Sequence, residues 1–175
     1  SLNLVLEGAS SIAEKDDDES DCRGIFVNGD LTISGDGVLS VTAGDAAEDD
    51  SYGIYVNGNL TIKSGTINAT GGTASGSSYG IYATSAVLIH DGTVNATGGT
   101  AKGYSIPTSY GINCSGDATF SGSGKITATG GKASYEIDSD TERQHGAKTY
   151  GIYADTMTIS GAEVTATGGT VTRTS

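Results

Sequence analysis

The chain has almost no proline, no tryptophan and no long hydrophobic run. Of its 175 residues, one is proline and none is tryptophan. A regular ladder of strands cannot lose backbone donors, and a narrow interior does not hold an indole, so both absences fit an array of short strands. No stretch approaches the roughly 20 apolar residues of a membrane-spanning helix, and Ser1 does not begin a secretory signal. We therefore expect no membrane span.

Basic residues are also scarce. Nine Lys and Arg stand against 21 Asp and Glu, which gives a formal net charge of −12. Because nucleic-acid binding depends on cations that neutralise phosphates, we expect no nucleic-acid partner.

A unit that begins Gly-Ile recurs five times. The copies start at Gly24, Gly53, Gly80, Gly111 and Gly151, and each runs through three short segments to close near a glycine. One copy cannot bury its own apolar side chains, so the copies are expected to stack into a solenoid. The length from Gly-Ile to the closing glycine hardly changes, which places all the variation in one connection, where loops should protrude.

Apolar and polar residues alternate within each segment, which is the period of a β-strand. In the second copy the inward residues are Ile54, Val56, Leu60, Ile62, Ile67 and Ala69. Propeller blades of roughly 40 to 45 residues are about twice as long as the constant part, and a left-handed hexapeptide helix needs a different apolar period. We predict an all-β fold: a right-handed parallel β-helix (solenoid) of about five three-strand coils. Residues 1–175 would form one domain with a partial first coil at 1–21.

Both ends of the chain resemble open coils. Residues 2–8 are expected to form the third strand of an earlier coil, and residues 164–169 complete a third strand. Open coils expose sheet edges, so we expect further repeats in the natural protein, or end-to-end contacts with a copy or a neighbouring domain.

Aromatic residues gather in two columns of the first segment. The column that precedes each glycine shares the parity of the core isoleucines, which predicts partial burial; it holds Arg23, Tyr52, Tyr79, Tyr110 and Tyr150. The second column points outward and holds Phe26, Tyr55, Tyr82, Asn113 and Tyr153. Rings stacked about 4.8 Å apart suit the apolar faces of sugars or a protein partner. We predict a carbohydrate-binding surface at Phe26, Tyr55, Tyr82 and Tyr153, with ring stacking that only stabilises the coil as the alternative.

Acidic residues concentrate in the variable connections. Loops of neighbouring coils emerge on one edge, so their carboxylates repel one another unless water, salt or a divalent cation screens them. Calcium prefers such oxygen ligands and is the candidate cofactor, although none is required and no EF-hand spacing is present. The candidate calcium ligands are Asp16, Asp18, Asp49, Asp50, Asp138, Asp140 and Glu142. Solvated loops without a metal are the alternative.

The sequence offers little for catalysis. His90 and His145 stand in different contexts, and the outward strand positions carry Thr, Asn, Ser and Tyr. Glycosidases need paired carboxylates beside the scissile bond, and no such pair is evident. We expect a protein that is not an enzyme. The remote alternative is a polysaccharide lyase or hydrolase in which the long loop brings Asp138, Arg143 and His145 over the first-strand face.

Two cysteines fall in the first and fourth copies. Three coil spacings, or roughly 14 Å, separate Cys22 from Cys114, which exceeds disulfide reach. We expect two free thiols, with Cys114 in the core and Cys22 exposed at the end of a loop.

Two segments carry a resemblance to a known group of proteins. Residues 4–12 (LVLEGASSI) and 53–62 (GIYVNGNLTI) resemble repeats in surface proteins of anaerobic gut and cellulolytic bacteria. That group includes carbohydrate-binding β-helix domains that are similar in fold to pectate lyases and lack lyase activity, some of which bind acidic plant polysaccharides with calcium. The resemblance spans nearly the whole chain and implies an extracellular location, on a bacterial cell surface or secreted. It also allows stalks and adhesins.

These observations predict a non-enzymatic module that binds a polysaccharide or adheres to a host or cell-surface protein. A purely structural stalk, or an adhesin segment that binds protein, is the alternative.

Overall fold

The computed structural model describes residues 1–16, 20–103, 106–136 and 146–174. Regular structure in these ranges consists of β-strands alone. None of the described segments forms a helix long and apolar enough to cross a membrane.

Three parallel sheets run along the molecule: the first-strand sheet has five strands, and the second-strand and third-strand sheets have six each. The first-strand sheet contains β3 (Cys22–Asn28), β6 (Ser51–Asn57), β9 (Ser78–Ala83), β13 (Thr108–Cys114) and β17 (Lys148–Tyr153). The second-strand sheet contains β1 (Leu2–Leu6), β4 (Leu31–Gly35), β7 (Leu60–Ile62), β10 (Val87–Ile89), β14 (Ala118–Ser121) and β18 (Met157–Ser160). The third-strand sheet contains β2 (Ala9–Ala13), β5 (Val38–Thr42), β8 (Thr66–Thr70), β11 (Thr93–Thr97), β15 (Lys125–Thr129) and β19 (Glu163–Thr167).

The coils stack in register. Ile54 pairs with Ile25 on one side and with Ile81 on the other, and Leu60 stands between Leu31 and Val87. Consecutive strands of one coil belong to different sheets, so the chain winds around a central core. The fold is an all-β parallel β-helix with a five-stranded first-strand sheet, which confirms the predicted class.

The first residues differ from the prediction. Leu2–Leu6 pairs with Leu31–Gly35 and is therefore a second strand, while Ala9–Ala13 is the third. Leu2 and Leu4 take the inward column of Leu31 and Ile33, which decides this register. At the other end Met157 and Ile159 remain about half exposed, at 46% and 51%. End-to-end contacts stay a prediction.

The variable connection begins as a fourth parallel ladder instead of a loop. It contains β12 (Ala101–Gly103), β16 (Lys132–Glu136) and β20 (Thr170–Thr174) and is extended by the bridges Ala46 to Ala74 to Ala101. A sequence signal for it exists, because a buried alanine stands two residues after the closing glycine in four coils: Ala46, Ala74, Ala101 and Ala133.

Branched aliphatic side chains fill the interior. Ile33, Ile54, Ile62 and Ile81 are fully buried in one cluster that runs along the axis. The corner between the second and third strands requires glycine, since Gly65 and Gly92 have φ of 92° and 94°. A Cβ on Gly92 would also lie 2.7 Å from the Gly65 carbonyl oxygen, so the corners stack too closely for any side chain.

Buried hydroxyls link neighbouring coils at the start of the first strand. The Ser51 hydroxyl donates to the Gly44 carbonyl and accepts from the Gly72 N–H, at 2.9 and 2.8 Å. Ser78 repeats this pair with the Gly72 carbonyl and the Gly99 N–H, at 2.7 and 2.9 Å. Each serine thus satisfies backbone groups of two successive coils.

Cys22 occupies the same column in the first coil, where it pairs with Ser51. Its thiol lies 3.3 Å from the Asp45 carbonyl oxygen, and the residue is fully buried. The prediction that Cys22 is exposed is therefore wrong. β3 begins at Cys22, two residues before Gly24, so this residue lies in the ladder and not in a loop. Cys114 is buried in the core as predicted, and neither cysteine forms a disulfide.

Replacing Ser78 with alanine should lower stability. The change leaves the Gly72 carbonyl and the Gly99 N–H without their partner in a site that is 0% exposed. We expect a loss of about 1–3 kcal/mol in the free energy of unfolding, measured by urea denaturation. Ser115→Ala, on an exposed residue, is the matched control. Equal midpoints for the two variants would contradict the proposed role of the hydroxyl.

Candidate functional site

The outward side of the first-strand sheet carries three files of residues, which together we name the aromatic face. The inner file precedes the repeat glycines and contains Arg23, Tyr52, Tyr79, Tyr110 and Tyr150. The outer file contains Phe26, Tyr55, Tyr82, Asn113 and Tyr153. The polar file, two residues further on, contains Asn28, Asn57, Thr84, Ser115 and Asp155.

The inner file is a stack of nearly parallel rings. Ring centroids lie 4.7 Å apart between Tyr52 and Tyr79, with an interplanar angle of 4°, and 4.9 Å apart between Tyr79 and Tyr110, with an angle of 2°. Tyr150 continues the stack at 5.3 Å from Tyr110. Burial raises the pKa of the Tyr52, Tyr79 and Tyr110 phenols, so these hydroxyls stay neutral. The faces of these rings contact one another and stabilise the coil, so they are not available to a ligand.

A bend at the repeat glycine turns the inner file outward. In a straight strand Tyr52 would share the side of Ile54, which is why partial burial was predicted. Tyr52 is indeed only 8% exposed, but its ring stacks on Tyr55 at 4.9 Å and lies outside the aliphatic core. The ladder pairs Tyr52 and Ile54 with the next coil and omits Gly53 between them. A Cβ on Gly53 would lie 2.9 Å from the Thr70 amide nitrogen, so only glycine allows the bend.

Tyr82 and Tyr153 of the outer file rest on the inner file at a tilt, whereas Tyr55 stacks on Tyr52 at 19°. Tyr82 lies 5.6 Å from Tyr52 and 5.1 Å from Tyr79, at angles of 51° and 55°. Tyr153 likewise lies 5.9 Å from Tyr110 and 5.4 Å from Tyr150. The structure thus places all four predicted sugar-binding residues on one face. Phe26 and Tyr153 are the most open, at 51% and 48% exposure, while Tyr55 and Tyr82 are half-buried.

The polar file runs directly beside these rings. The Asn57 side-chain amide donates to Asn28 Oδ1 at 2.9 Å, and the Thr84 hydroxyl donates to Asn57 Oδ1 at 3.2 Å. Asn28 and Asn57 are exposed. Sequence reasoning did not assign them to this face; their place two residues after the outer file was the signal that they face outward.

Charged residues lie at the first-coil end of the aromatic face. The Arg23 guanidinium carbon lies 5.3 Å from the ring centroids of both Phe26 and Tyr55, and the guanidinium pairs with Asp21. In the next coil Asp50 accepts hydrogen bonds from the Tyr52 hydroxyl at 2.9 Å and from the Ser77 N–H at 2.6 Å. Burial, followed by the nearby Asp21 and Asp49 carboxylates, raises the pKa of Asp50 above its ordinary value of 3.8.

Carboxylates in the connections hold the backbone of the following coil. Asp16 Oδ1 accepts from the Asp45 N–H at 2.9 Å, and Asp45 Oδ1 accepts from the Thr73 N–H at 2.6 Å. Within residues 1–16, 20–103, 106–136 and 146–174, no group of three or more His, Cys, Asp or Glu is arranged to hold a metal ion. Of the predicted calcium ligands, Asp16, Asp49 and Asp50 are described, and Asp18, Asp138, Asp140 and Glu142 lie outside the described residues. Calcium binding stays a prediction.

A serine, a histidine and an aspartate do meet on the second-strand sheet, which sequence reasoning missed. His90 Nδ1 lies 2.9 Å from Ser121 Oγ, and His90 Nε2 lies 3.5 Å from Asp91 Oδ2. Pairing of Ile89 with Phe120 brings His90 beside Ser121 and could have revealed the contact. The His90 side chain is 61% exposed, and Asp91 Oδ1 is bound by the Ser123 N–H and hydroxyl. The contact therefore secures a corner in open solvent, without the water exclusion that acyl transfer needs.

The other catalytic alternative involved Asp138, Arg143 and His145. All three lie outside the described residues.

Asp50 and Asp30 should change stability in opposite directions when their charge is removed. The folded state binds a proton at Asp50 more tightly than the unfolded state does. Ionised Asp50 therefore lowers the free energy of unfolding, and this cost is fully present above the folded pKa. Asp50→Asn should raise the urea midpoint at neutral pH, and the gain should shrink as the pH falls toward 3.8. Asp30 is the control, because hydrogen bonds from Asn59 lower its pKa. Its ionised form stabilises the fold above its unfolded pKa, and this contribution is lost as the pH falls through the lower folded pKa. Gains of equal sign for both variants would contradict this account.

Comparison with known proteins agrees with the fold. Residues 60–81 and 87–112 match the family model described as Beta helix repeat. These ranges run from β7 to β9 and from β10 into β13, so each spans the turn from one coil to the next. Comparisons with curated proteins and with solved structures give no match. The matched residues therefore carry β-helix repeats, in agreement with the parallel β-helix of the structure.

Proposed function

We propose that the protein is a non-enzymatic binding module of a bacterial cell surface, and that it holds a neutral polysaccharide on the aromatic face. The observation that carries this proposal is the outer file of rings, in which Phe26 and Tyr153 are about half exposed, with the polar file directly beside it. The extracellular, bacterial setting follows from the resemblance of the repeats to bacterial surface proteins.

A sugar ring presents an apolar C–H face and an edge of hydroxyl groups, and the two files match these surfaces in turn. Tilted rings such as Tyr55 and Tyr82 offer apolar contact, while the amides of Asn28 and Asn57 offer donors and acceptors to hydroxyls. Both files repeat at the coil spacing of about 4.8 Å, so a polymer that runs along the axis meets the same pair of surfaces at each step.

Charge favours a neutral polymer over an acidic one. The chain has a net charge of −12, and Arg23, the basic residue of the inner file, is already paired with Asp21. An acidic polysaccharide would be repelled by this field unless a cation bridged the two. The experiment therefore also tests the calcium-dependent binding of an acidic polysaccharide, which the resemblance implies.

The test is calorimetric titration with hexasaccharides of neutral β-linked glucose, xylose and mannose, and with hexagalacturonate, in calcium and in EDTA. We expect binding of a neutral hexasaccharide that EDTA does not change. Tyr55→Ala removes one stacked ring, worth about 1 kcal/mol, and should weaken the affinity about fivefold. Tyr135→Ala, which alters a tyrosine of the fourth ladder, is the matched control.

Binding of hexagalacturonate alone, and only with calcium, would overturn the neutral-polymer proposal. The stalk is the second candidate, because the inner file stacks its rings face to face and leaves those faces unavailable to a ligand. If no oligosaccharide binds and Tyr55→Ala only lowers the urea midpoint, the stalk replaces the binding module.

A further inference from the structure

The outer file follows a rule that one coil breaks. Each tyrosine of the outer file lies over the junction of two successive members of the inner file: Tyr55 over Arg23 and Tyr52, Tyr82 over Tyr52 and Tyr79, and Tyr153 over Tyr110 and Tyr150. The junction between Tyr79 and Tyr110 carries no ring from the outer file. Asn113 stands there, paired with Tyr82 below and Tyr153 above.

The missing ring leaves a notch. Tyr52, covered by two rings of the outer file, is 8% exposed, whereas Tyr79 and Tyr110 are only half-buried. Asn113 itself is 9% exposed, so it forms the floor between higher walls. Tyr82 and Tyr153 belong to coils two steps apart, or about 9.6 Å, which is the room for one ring between two stacking neighbours.

Two polar residues of the same coil belong to this notch, Asn113 and Ser115. No hydrogen bond between the Asn113 side chain and another described residue is found, so its amide retains both donor and acceptor capacity. Ser115, two residues after Asn113 in the polar file of the same coil, is exposed. An aromatic side chain of a partner would fit the walls but would leave the Asn113 amide buried without a partner, which costs free energy. A sugar ring satisfies both the walls and the floor.

We infer that this notch is the main sugar subsite of the aromatic face. One pyranose ring enters between Tyr82 and Tyr153, and its hydroxyls bond to the Asn113 amide and to Ser115. The inference rests on the proposed function and locates it in one coil, whereas a flat platform would bind equally along the whole outer file.

The decisive variant is Asn113→Tyr, which supplies the missing ring from the chain itself. Completion of the file should keep or raise the urea midpoint, because the new ring stacks on its neighbours. The affinity for the neutral hexasaccharide that the native chain binds should fall at least about tenfold, since the subsite is filled. Asn113→Ala, which leaves the notch open without the amide, should weaken binding by about fivefold. Asn3→Tyr makes the same substitution in β1 of another sheet and should leave the affinity unchanged.

The outcomes separate this inference from the proposed function. If Asn113→Tyr binds the hexasaccharide as tightly as the native chain or more tightly, the rings act as a platform and the subsite is refuted while sugar binding stands. If the native chain binds none of the hexasaccharides, both fall. N-acetyl-tyrosinamide is the probe for an aromatic partner. If it binds the native chain, does not bind Asn113→Tyr and does not compete with the hexasaccharide, the notch accepts an aromatic side chain and the sugar subsite is overturned.

Discussion

Successive backbones approach closely at the corner glycines that follow the third strand, and this close approach sets the geometry of the molecule. A Cβ on Gly72 would overlap the Gly44 carbonyl oxygen, and one on Gly99 would overlap that of Gly72. Any side chain at these corners would push two coils apart and break the ladders on both sides. Because the corners hold the spacing, equivalent residues of each coil fall into straight files, and every other feature of the fold uses those files.

One residue type therefore serves two purposes on one strand. Tyrosines before the repeat glycine stack face to face and stabilise the coil, whereas tyrosines two residues after it tilt outward and keep free surface. The bend at Gly53 produces this difference, since it brings Tyr52 and Tyr55 to the same side. A solenoid gains stability from contacts between adjacent coils, so the inner file can hold the coils while the outer file varies. Asn113 shows that such a change in the outer file leaves the inner stack intact.

The sequence was sufficient for the fold and for the positions of the outer file. Alternation of residues such as Ile54 and Val56 identifies strands, and the recurrence of Gly-Ile aligns them, because both patterns are local. Counting alternation was incomplete where a strand bends: it predicted the partial burial of Tyr52 but not the side of the strand on which its ring lies, and it could not show that Cys22 lies in the buried serine column. The alanine ladder at Ala74 and the contact of His90 with Ser121 depend on how connections of unequal length bring coils together.

The acidic composition is explained by the same stacking. Asp16 and Asp45 each accept a hydrogen bond from a backbone N–H of the following coil. A carboxylate bound in this way is stabilised by the amide dipole and needs no cation, so a net charge of −12 is compatible with loops that hold no metal. These acids lie in the connections, whereas rings, amides and hydroxyls dominate the aromatic face. The ligand best matched to that face is therefore one that gains little from charge and much from stacking and hydroxyl contacts, which is the chemistry of a neutral sugar polymer.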